Sequence, residues 1–327
     1  MRIGVIGRTE PDMFGANIIE AAGDAGHDAV PLGPARASHQ QAIIGRLAEL
    51  SMQALPHLDQ RAQRRIVRTA AEAKCELIIS VDARLMPESV NRLKRNGARV
   101  ALWFPDHVAS LGRALMLLAP YDALFFKEPH IVDQLRAMLD MPVYYLPQAC
   151  NPRYHRPTGP AGAERYLVIA GNMYPSRVRL LERLIAKEIP VKVFGDGIPR
   201  WIGDSPVRGI HAGHAIVTDE KARVFRSAVG VLNNLYPAEV YGVNLRLFEA
   251  AGSGAAVLTE FRPTVPDLFE VGEEILTFGN FDELLQQATR LLQEPGLTAS
   301  LGDAAARRAH RDHTLAQRLT TIIEKIA

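Results

Sequence analysis

What most constrains this chain is one local grammar that runs along it twice. A short apolar stretch ends in glycine or a polar residue, and a segment with helical spacing follows. Arg2–Gly7 (RIGVIG) closes on a glycine and leads past Gly15 into a helix pattern through Ile18, Ile19 and Ala22. The same order recurs at Glu76–Val81 with Asp82 and then Pro87–Asn96, stopped by Gly97. Val100–Phe104 runs into Pro105-Asp106-His107, and Asp122–Phe126 runs into Lys127 and a helix through Val132, Leu135 and Met138. Strand, loop, helix in this order predicts a parallel sheet with helices on its faces, an α/β fold.

After a polar, proline-marked connection at Gln148–Pro157 the pattern restarts. Tyr166–Ala170 ends in Gly171, and a helix carrying Leu180, Leu181, Leu184 and Ile185 follows. Val191–Phe194 precedes Gly195-Asp196-Gly197, and Val229–Leu232 precedes Asn233-Asn234. A helix at Phe281–Leu292 follows a strand at Glu274–Phe278. At 327 residues the chain exceeds one ordinary core, so two α/β domains are expected, 1–155 and 156–312. Residues 313–327 close the chain with Leu315, Leu319, Ile322 and Ile326 on one helical face, which must dock on something.

Composition excludes several classes. A net charge of +2 with no long single-sign tail gives no argument for nucleic acid. No apolar run approaches the roughly 18 residues of a membrane span, and no signal peptide is legible, so a cytoplasmic protein is expected. Cys75 and Cys150 make no metal-ligand spacing and read as buried thiols. The fingerprint G-x-G-x-x-G is absent, so no nicotinamide or flavin cofactor is expected. His211 and His214 lack a further ligand nearby and read as a loop pair. Arg61, Arg64, Arg65 and Arg68 form a basic helix face, either solvated or in contact with an acidic acceptor or lipid surface.

Two places carry chemistry. Asp106 and His107 follow a buried strand, where ligands of open α/β sheets sit, although an N-cap and a loop histidine satisfy the same pattern. Tyr241–Thr259 (YGVNLRLFEAAGSGAAVLT) reads as a helix, a glycine stop and a buried strand. Glu249 stands in its most apolar part. Either it is an exposed acid on the polar side of the helix, or it is buried and must be paired or receive hydrogen bonds from a ligand.

The second half resembles the donor domain of GT-B glycosyltransferases, nearest the CgeB-like and related group-1 enzymes. The carriers are LNNLYPAEVYGVNLRLFEAAGSGAAVLTE ending at Glu260, the Gly171-Asn172-Met173-Tyr174-Pro175-Ser176-Arg177 loop, and Asp312-His313-Thr314 with Arg318. Tyr145–Ala149 with Asn151-Pro152 resembles the hinge between the family's domains. The resemblance covers roughly 143–327 and is thin before it, where Trp103–Asp106 matches.

That resemblance implies two Rossmann-like, doubly wound domains facing each other across a cleft, with the last helix crossing back to the first domain. It implies a nucleotide-sugar donor in the second domain and an acceptor, whether glycan, protein, lipid or small molecule, at the first. Glu249 takes the place of the acid that binds the donor ribose, and Arg177 that of the residue meeting the diphosphate. Asn244, Arg246, Gly171 and Asn172 surround them. Asp106 or His107 faces the acceptor as base or orienter. No cofactor and no metal are expected, since no Asp-x-Asp pair is present. The departure is Tyr241, which stands eight residues before Glu249 where many relatives carry a second acid, with Glu239 the nearest carboxylate. A degenerate, non-catalytic sugar-nucleotide binder and another GT-B enzyme, such as an epimerase or a phosphorylase, remain the alternatives.

Overall fold

The structure is a computed structural model that describes residues 1–35, 56–106 and 115–326. The chain divides into two compact units: 1–147 together with 315–327, and 148–314.

The first unit begins with β1 (Arg2–Ile6), α1 (Phe14–Asp24), β2 (Asp28–Gly33), α2 (Pro56–Glu72), β3 (Leu77–Ser80) and α3 (Pro87–Arg95). It continues with β4 (Arg99–Phe104), β5 (Ala123–Phe126), α4 (Pro129–Leu139) and β6 (Val143–Tyr145). Among the described residues the strands pair in parallel in the order β2-β1-β3-β4-β5-β6. The central strands β3 and β5 are buried throughout, as a sheet covered on both faces requires. Pro31 has no N–H for a ladder, and it sits on β2, an edge strand. Gly15 opens α1 so close to the preceding loop that a Cβ would lie 2.5 Å from the Arg8 carbonyl oxygen.

The C-terminal helix, Leu315–Ile326, belongs to this unit and packs on α1 and β4. Leu315, Leu319, Ile322 and Ile326 are the buried face. Arg318 Nε donates to the Pro147 carbonyl at 3.1 Å. Burying four such side chains contributes on the order of 6–12 kcal/mol before conformational entropy is subtracted.

The second unit holds β7 (Glu164–Ala170), α5 (Pro175–Ala186), β8 (Val191–Phe194), α6 (Val207–Ile210), α7 (Thr218–Ser227) and β9 (Ala228–Asn233). Then come α8 (Leu245–Gly252), β10 (Val257–Glu260), α9 (Val265–Leu268), β11 (Leu276–Phe278), α10 (Phe281–Gln293) and α11 (Pro295–Asp312). The strands pair in parallel in the order β11-β10-β9-β7-β8. One core cluster, with Phe225, Phe248 and Phe269, fills one face of this sheet, and a leucine- and valine-rich cluster fills the other.

The helix α11 has no counterpart in the sequence reading. Its composition is alanine-rich and its apolar spacing weak, yet Thr298, Leu301, Ala305 and Ala309 are buried. Small residues let it approach α8 and the turn after it. A Cβ on Gly302 would lie 2.1 Å from the Gly254 carbonyl oxygen, so a larger side chain cannot sit there. Cys75 and Cys150 are both buried and free, as expected.

Candidate functional site

The carboxyl ends of β7 and β9 and the start of α8 enclose a cavity of about 180 Å³. Gly171 ends β7 at φ +118°, where a Cβ would stand 3.0 Å from an Arg246 guanidinium nitrogen. Only glycine lets the strand turn there with the arginine against it. Asn172 and Tyr174 then lead to Pro175, which opens α5, and Arg177 follows in its first turn.

The Arg177 side chain folds back instead of entering solvent. Nη1 donates to the Asn172 carbonyl at 2.6 Å and Nε to Asn234 Oδ1 at 2.8 Å. Nη2 donates to the Tyr174 hydroxyl at 3.0 Å and to the Asn234 carbonyl at 3.2 Å. The guanidinium also lies over the Tyr174 ring, 4.4 Å from its centroid. These contacts use four of the five N–H groups a guanidinium carries, leaving one on Nη1. All four partners are neutral. Burial pulls the Arg177 pKa below its usual value, opposed by Tyr174.

Arg246, the second residue of α8, donates through Nη1 to the Ala170 carbonyl at the end of β7. Its Nε lies 3.3 Å from Glu249 Oε2. Asn244 is the N-cap residue of α8 but makes no side-chain cap, and its buried Oδ1 has no protein partner. The helix start at this cavity wall favours an anionic ligand, while the orphaned Oδ1, an acceptor, calls for a ligand group that donates. Glu239 lines the cavity from the loop before α8, is buried, and accepts from the Tyr236 N–H at 3.2 Å through Oε2.

Glu249 lies one turn further into α8 and is buried. The exposed-acid reading is therefore excluded, and the carboxylate is paired. Lys221 Nζ on α7 donates to Oε1 at 2.8 Å, with both side chains nearly inaccessible. His155 Nε2 lies 3.8 Å from the same oxygen. Burial alone raises the Glu249 carboxyl, but Lys221, Arg246 and His155 outweigh it and hold its pKa at about 2. His155 accepts the Asn151 N–H on Nδ1, and burial drives its own pKa down to about 4 against the pull of Glu249. It is therefore neutral near pH 7.

Of the residues singled out in the sequence, Arg177, Asn244, Arg246, Gly171, Asn172 and Glu239 line one cavity. Glu249 touches it only through Arg246. The Tyr241 ring is exposed and outside the cavity lining, and its carbonyl accepts from Thr264 Oγ1 at 2.6 Å. Asp106 is exposed just past β4 in the first unit, and His107 lies outside the described residues. Sequence reasoning assigned no role to Lys221, His155, Tyr174 or Asn234. Lys221 had a signal: it shares a helix face with the buried Ala222 and Phe225, where a lysine must find an anion.

Residues 177–324 match a family model described as glycosyl transferase-like. The chain superposes over its whole length on a sucrose-phosphate synthase from Thermosynechococcus elongatus, with a TM-score of 0.69, 12% identity and 99% of that chain covered. Anabaena Alr3699/HepE in complex with UDP-glucose gives a TM-score of 0.71 at 13% identity, covering 100% of this chain and 99% of that one. The lipopolysaccharide outer core galactosyltransferase WaaB, in its apo form, gives 0.59 at 13% identity over 100% of both chains. No curated protein matches the chain in sequence. The fold is GT-B, built of two Rossmann-like α/β units.

Proposed function

We propose that this chain is a glycosyltransferase of the CgeB-like, group-1 kind that moves a sugar from a nucleotide-sugar donor to an acceptor. The observation that carries the reading is the cavity of the second unit. Arg177 and Arg246 both line it beside the start of α8, and among the described residues no carboxylate pairs with Arg177. A diphosphate matches that wall: its oxygens take the spare N–H of Arg177, the free Nη2 of Arg246 and the amides opening α8. The match of residues 177–324 to a glycosyl transferase-like model and the UDP-glucose held by the Anabaena neighbour support the choice of ligand.

Catalysis then rests on holding the reactants in line and on stabilising the leaving diphosphate. As the bond from the anomeric carbon to the diphosphate oxygen breaks, charge grows where the two guanidiniums and the α8 start are already fixed. Glu249 takes the ribose hydroxyls by exchanging its contact with Arg246 or Lys221. Asp106 and His107 serve the acceptor side, and the acceptor is a glycan, protein, lipid or small molecule. The chemistry needs no cofactor and no divalent cation, and the protein works in the cytoplasm. No helix among the described residues is long and apolar enough to cross a membrane.

The test is a thermal-shift panel of nucleotide sugars followed by product analysis. A donor at 100 times its Kd adds roughly 2.7 kcal/mol to stability, enough to raise Tm by several degrees. If no nucleotide or nucleotide sugar shifts Tm, the cavity is not a donor site. If a donor binds but is neither transferred nor hydrolysed, the chain is a binding protein on the same fold.

A further inference from the structure

The loop between β9 and α8 is pinned, yet an aromatic ring that it carries into the cavity lining is partly exposed. The Leu235 N–H donates to Glu260 Oε2 at 3.0 Å, and the Tyr236 N–H to Glu239 Oε2 at 3.2 Å. Arg262 Nε donates to the Glu239 carbonyl at 2.7 Å, and Thr264 Oγ1 to that of Tyr241 at 2.6 Å. Backbone this well held does not expose Tyr236 through looseness. The ring is nonetheless 40% exposed while lining the cavity. It meets the Tyr174 ring in a T-shaped contact, with centroids 5.3 Å apart and planes at 82°.

The contacts across the site run in one order. Glu249 meets Arg246, and Arg246 meets the Ala170 carbonyl at the end of β7. Asn172, two residues on, meets Arg177; Arg177 meets Tyr174, and Tyr174 meets Tyr236. Carboxylate, two guanidiniums and aromatic ring therefore succeed one another along this chain of contacts, with the carboxylate behind Arg246 and the other three lining the cavity. A nucleotide sugar has the matching sequence of parts: ribose hydroxyls, two phosphates, then a pyranose with an apolar C–H face. With Glu249 at the ribose and the arginines at the diphosphate, Tyr236 falls at the sugar.

We infer that Tyr236 is a specificity-determining wall of the sugar pocket, stacking on the C–H face of the transferred pyranose. The inference rests on the donor reading above. The electron-rich face of an aromatic ring attracts the partly positive hydrogens of such a surface, and Tyr174 sets the angle of the ring. A pyranose with its hydroxyls equatorial, as in glucose, offers the flattest such face.

Calorimetry with UDP and UDP-glucose tests it on the wild type, Tyr236→Ala, Tyr236→Leu and Tyr236→Phe, with Phe261→Ala as an exposed aromatic outside the cavity. The quantity read is the ratio of UDP-glucose to UDP affinity. Tyr236→Ala and Tyr236→Leu should lower that ratio about fivefold to tenfold, with UDP itself within about twofold of wild type. Tyr236→Phe keeps the ring and should behave as wild type, as should Phe261→Ala. Unchanged UDP affinity certifies the fold of each variant. The inference is overturned if UDP and UDP-glucose weaken by one common factor, since the ring then serves the nucleoside or the fold. It is equally overturned if Tyr236→Phe matches Tyr236→Ala, or if no variant changes the ratio. A wild type that binds neither these two ligands nor any nucleotide or nucleotide sugar of the thermal-shift panel removes the donor reading, and this inference with it.

Discussion

Arg177 and Glu249 are both buried charges of the second unit, and they are satisfied in opposite ways. Arg177 is ringed by neutral oxygens from Asn172, Tyr174 and Asn234, so among the described residues no carboxylate is hydrogen-bonded to it at the cavity wall, and Glu239 acts on it only across the cavity. Glu249 is sealed among Lys221, Arg246 and His155, so its charge is balanced where it stands. A cation held rigid beside a cavity with no bonded carboxylate is prepared for an anion from outside. A compensated carboxylate must first exchange a partner, so its ligand gains less. On the proposed donor reading, the difference separates a site built for a ligand from one shared between ligand and fold.

The sharpest way to break this contrast is to remove Lys221. Lys221→Met leaves Glu249 buried and unpaired on one oxygen, and breaking a buried pair costs about 3–5 kcal/mol. The double variant Lys221→Met, Glu249→Leu should recover most of that loss, because two apolar side chains of similar volume replace both charges. Chemical denaturation of the three proteins measures it. A single variant within about 0.5 kcal/mol of wild type would mean that the pair is not holding the fold.

Acid should find the same region next, through His155. Its folded pKa of about 4 lies below the imidazole's ordinary 6.5. Between those values the unfolded chain binds the extra proton, so stability rises with pH across this window. The contribution is complete above pH 6.5 and lost as pH falls towards 4, with an upper bound of about 3 kcal/mol. Glu249, held at about 2, adds a loss only at lower pH, below the ordinary carboxylate value. Denaturation midpoints from pH 7 to pH 4 should therefore fall, and His155→Gln should flatten the slope. A wild-type slope unaltered in that variant would assign the effect to other groups.

How much of this was legible in the sequence follows from which interactions are local. Each strand and its following helix is a run of neighbours, so the two α/β units could be read from periodicity and the glycine stops, whereas the GT-B fold came from the resemblance of the second half to a known family. Arg177, Asn244 and Arg246 were singled out through that resemblance, and the structure brings them to one cavity. The burial of Glu249 was one of two open readings, and although Lys221 sits on a buried helix face, nothing local named it as the partner of Glu249, which lies 28 positions away on another helix. His155 sits in a proline-marked connection whose register no periodicity fixes. The helix α11 was missed because alanine and glycine pack by closeness, as Gly302 does on Gly254, and leave no apolar stripe to read.

Ligand binding sharpens the comparison at smaller energies. Arg177→Ala should weaken UDP and pyrophosphate tenfold or more while leaving uridine nearly unchanged, since hydrogen bonds to charged groups contribute about 1.5–3 kcal/mol. Glu249→Ala should show the reverse split, weakening uridine and UDP-glucose and sparing pyrophosphate. Arg177→Ala should also lower turnover at saturating donor, because charge grows on the leaving diphosphate only as the bond breaks. Calorimetry with the three ligands decides, and equal losses for all of them in either variant would merge the two regions into one structural network.

The smallest expected effect is that of a chelator. A divalent cation at a diphosphate neutralises the leaving charge and orients its oxygens. Under the proposed donor reading, Arg177, Arg246 and the positive end of α8 would supply both functions, and the carboxylates nearby are engaged elsewhere: Glu249 by Lys221 and Arg246, Glu239 by the Tyr236 N–H. A cation entering the cavity would face two guanidiniums before it met a free carboxylate oxygen. Release of UDP from UDP-glucose should therefore stay within about twofold in excess EDTA. The same assay on Arg177→Ala supplies the contrast. If a metal can replace the lost guanidinium, Mn²⁺ restores part of that variant's turnover and leaves the wild type unchanged. Wild-type turnover that disappears with EDTA and returns with Mn²⁺ would show that the charge on Arg177 is not what stabilises the leaving group.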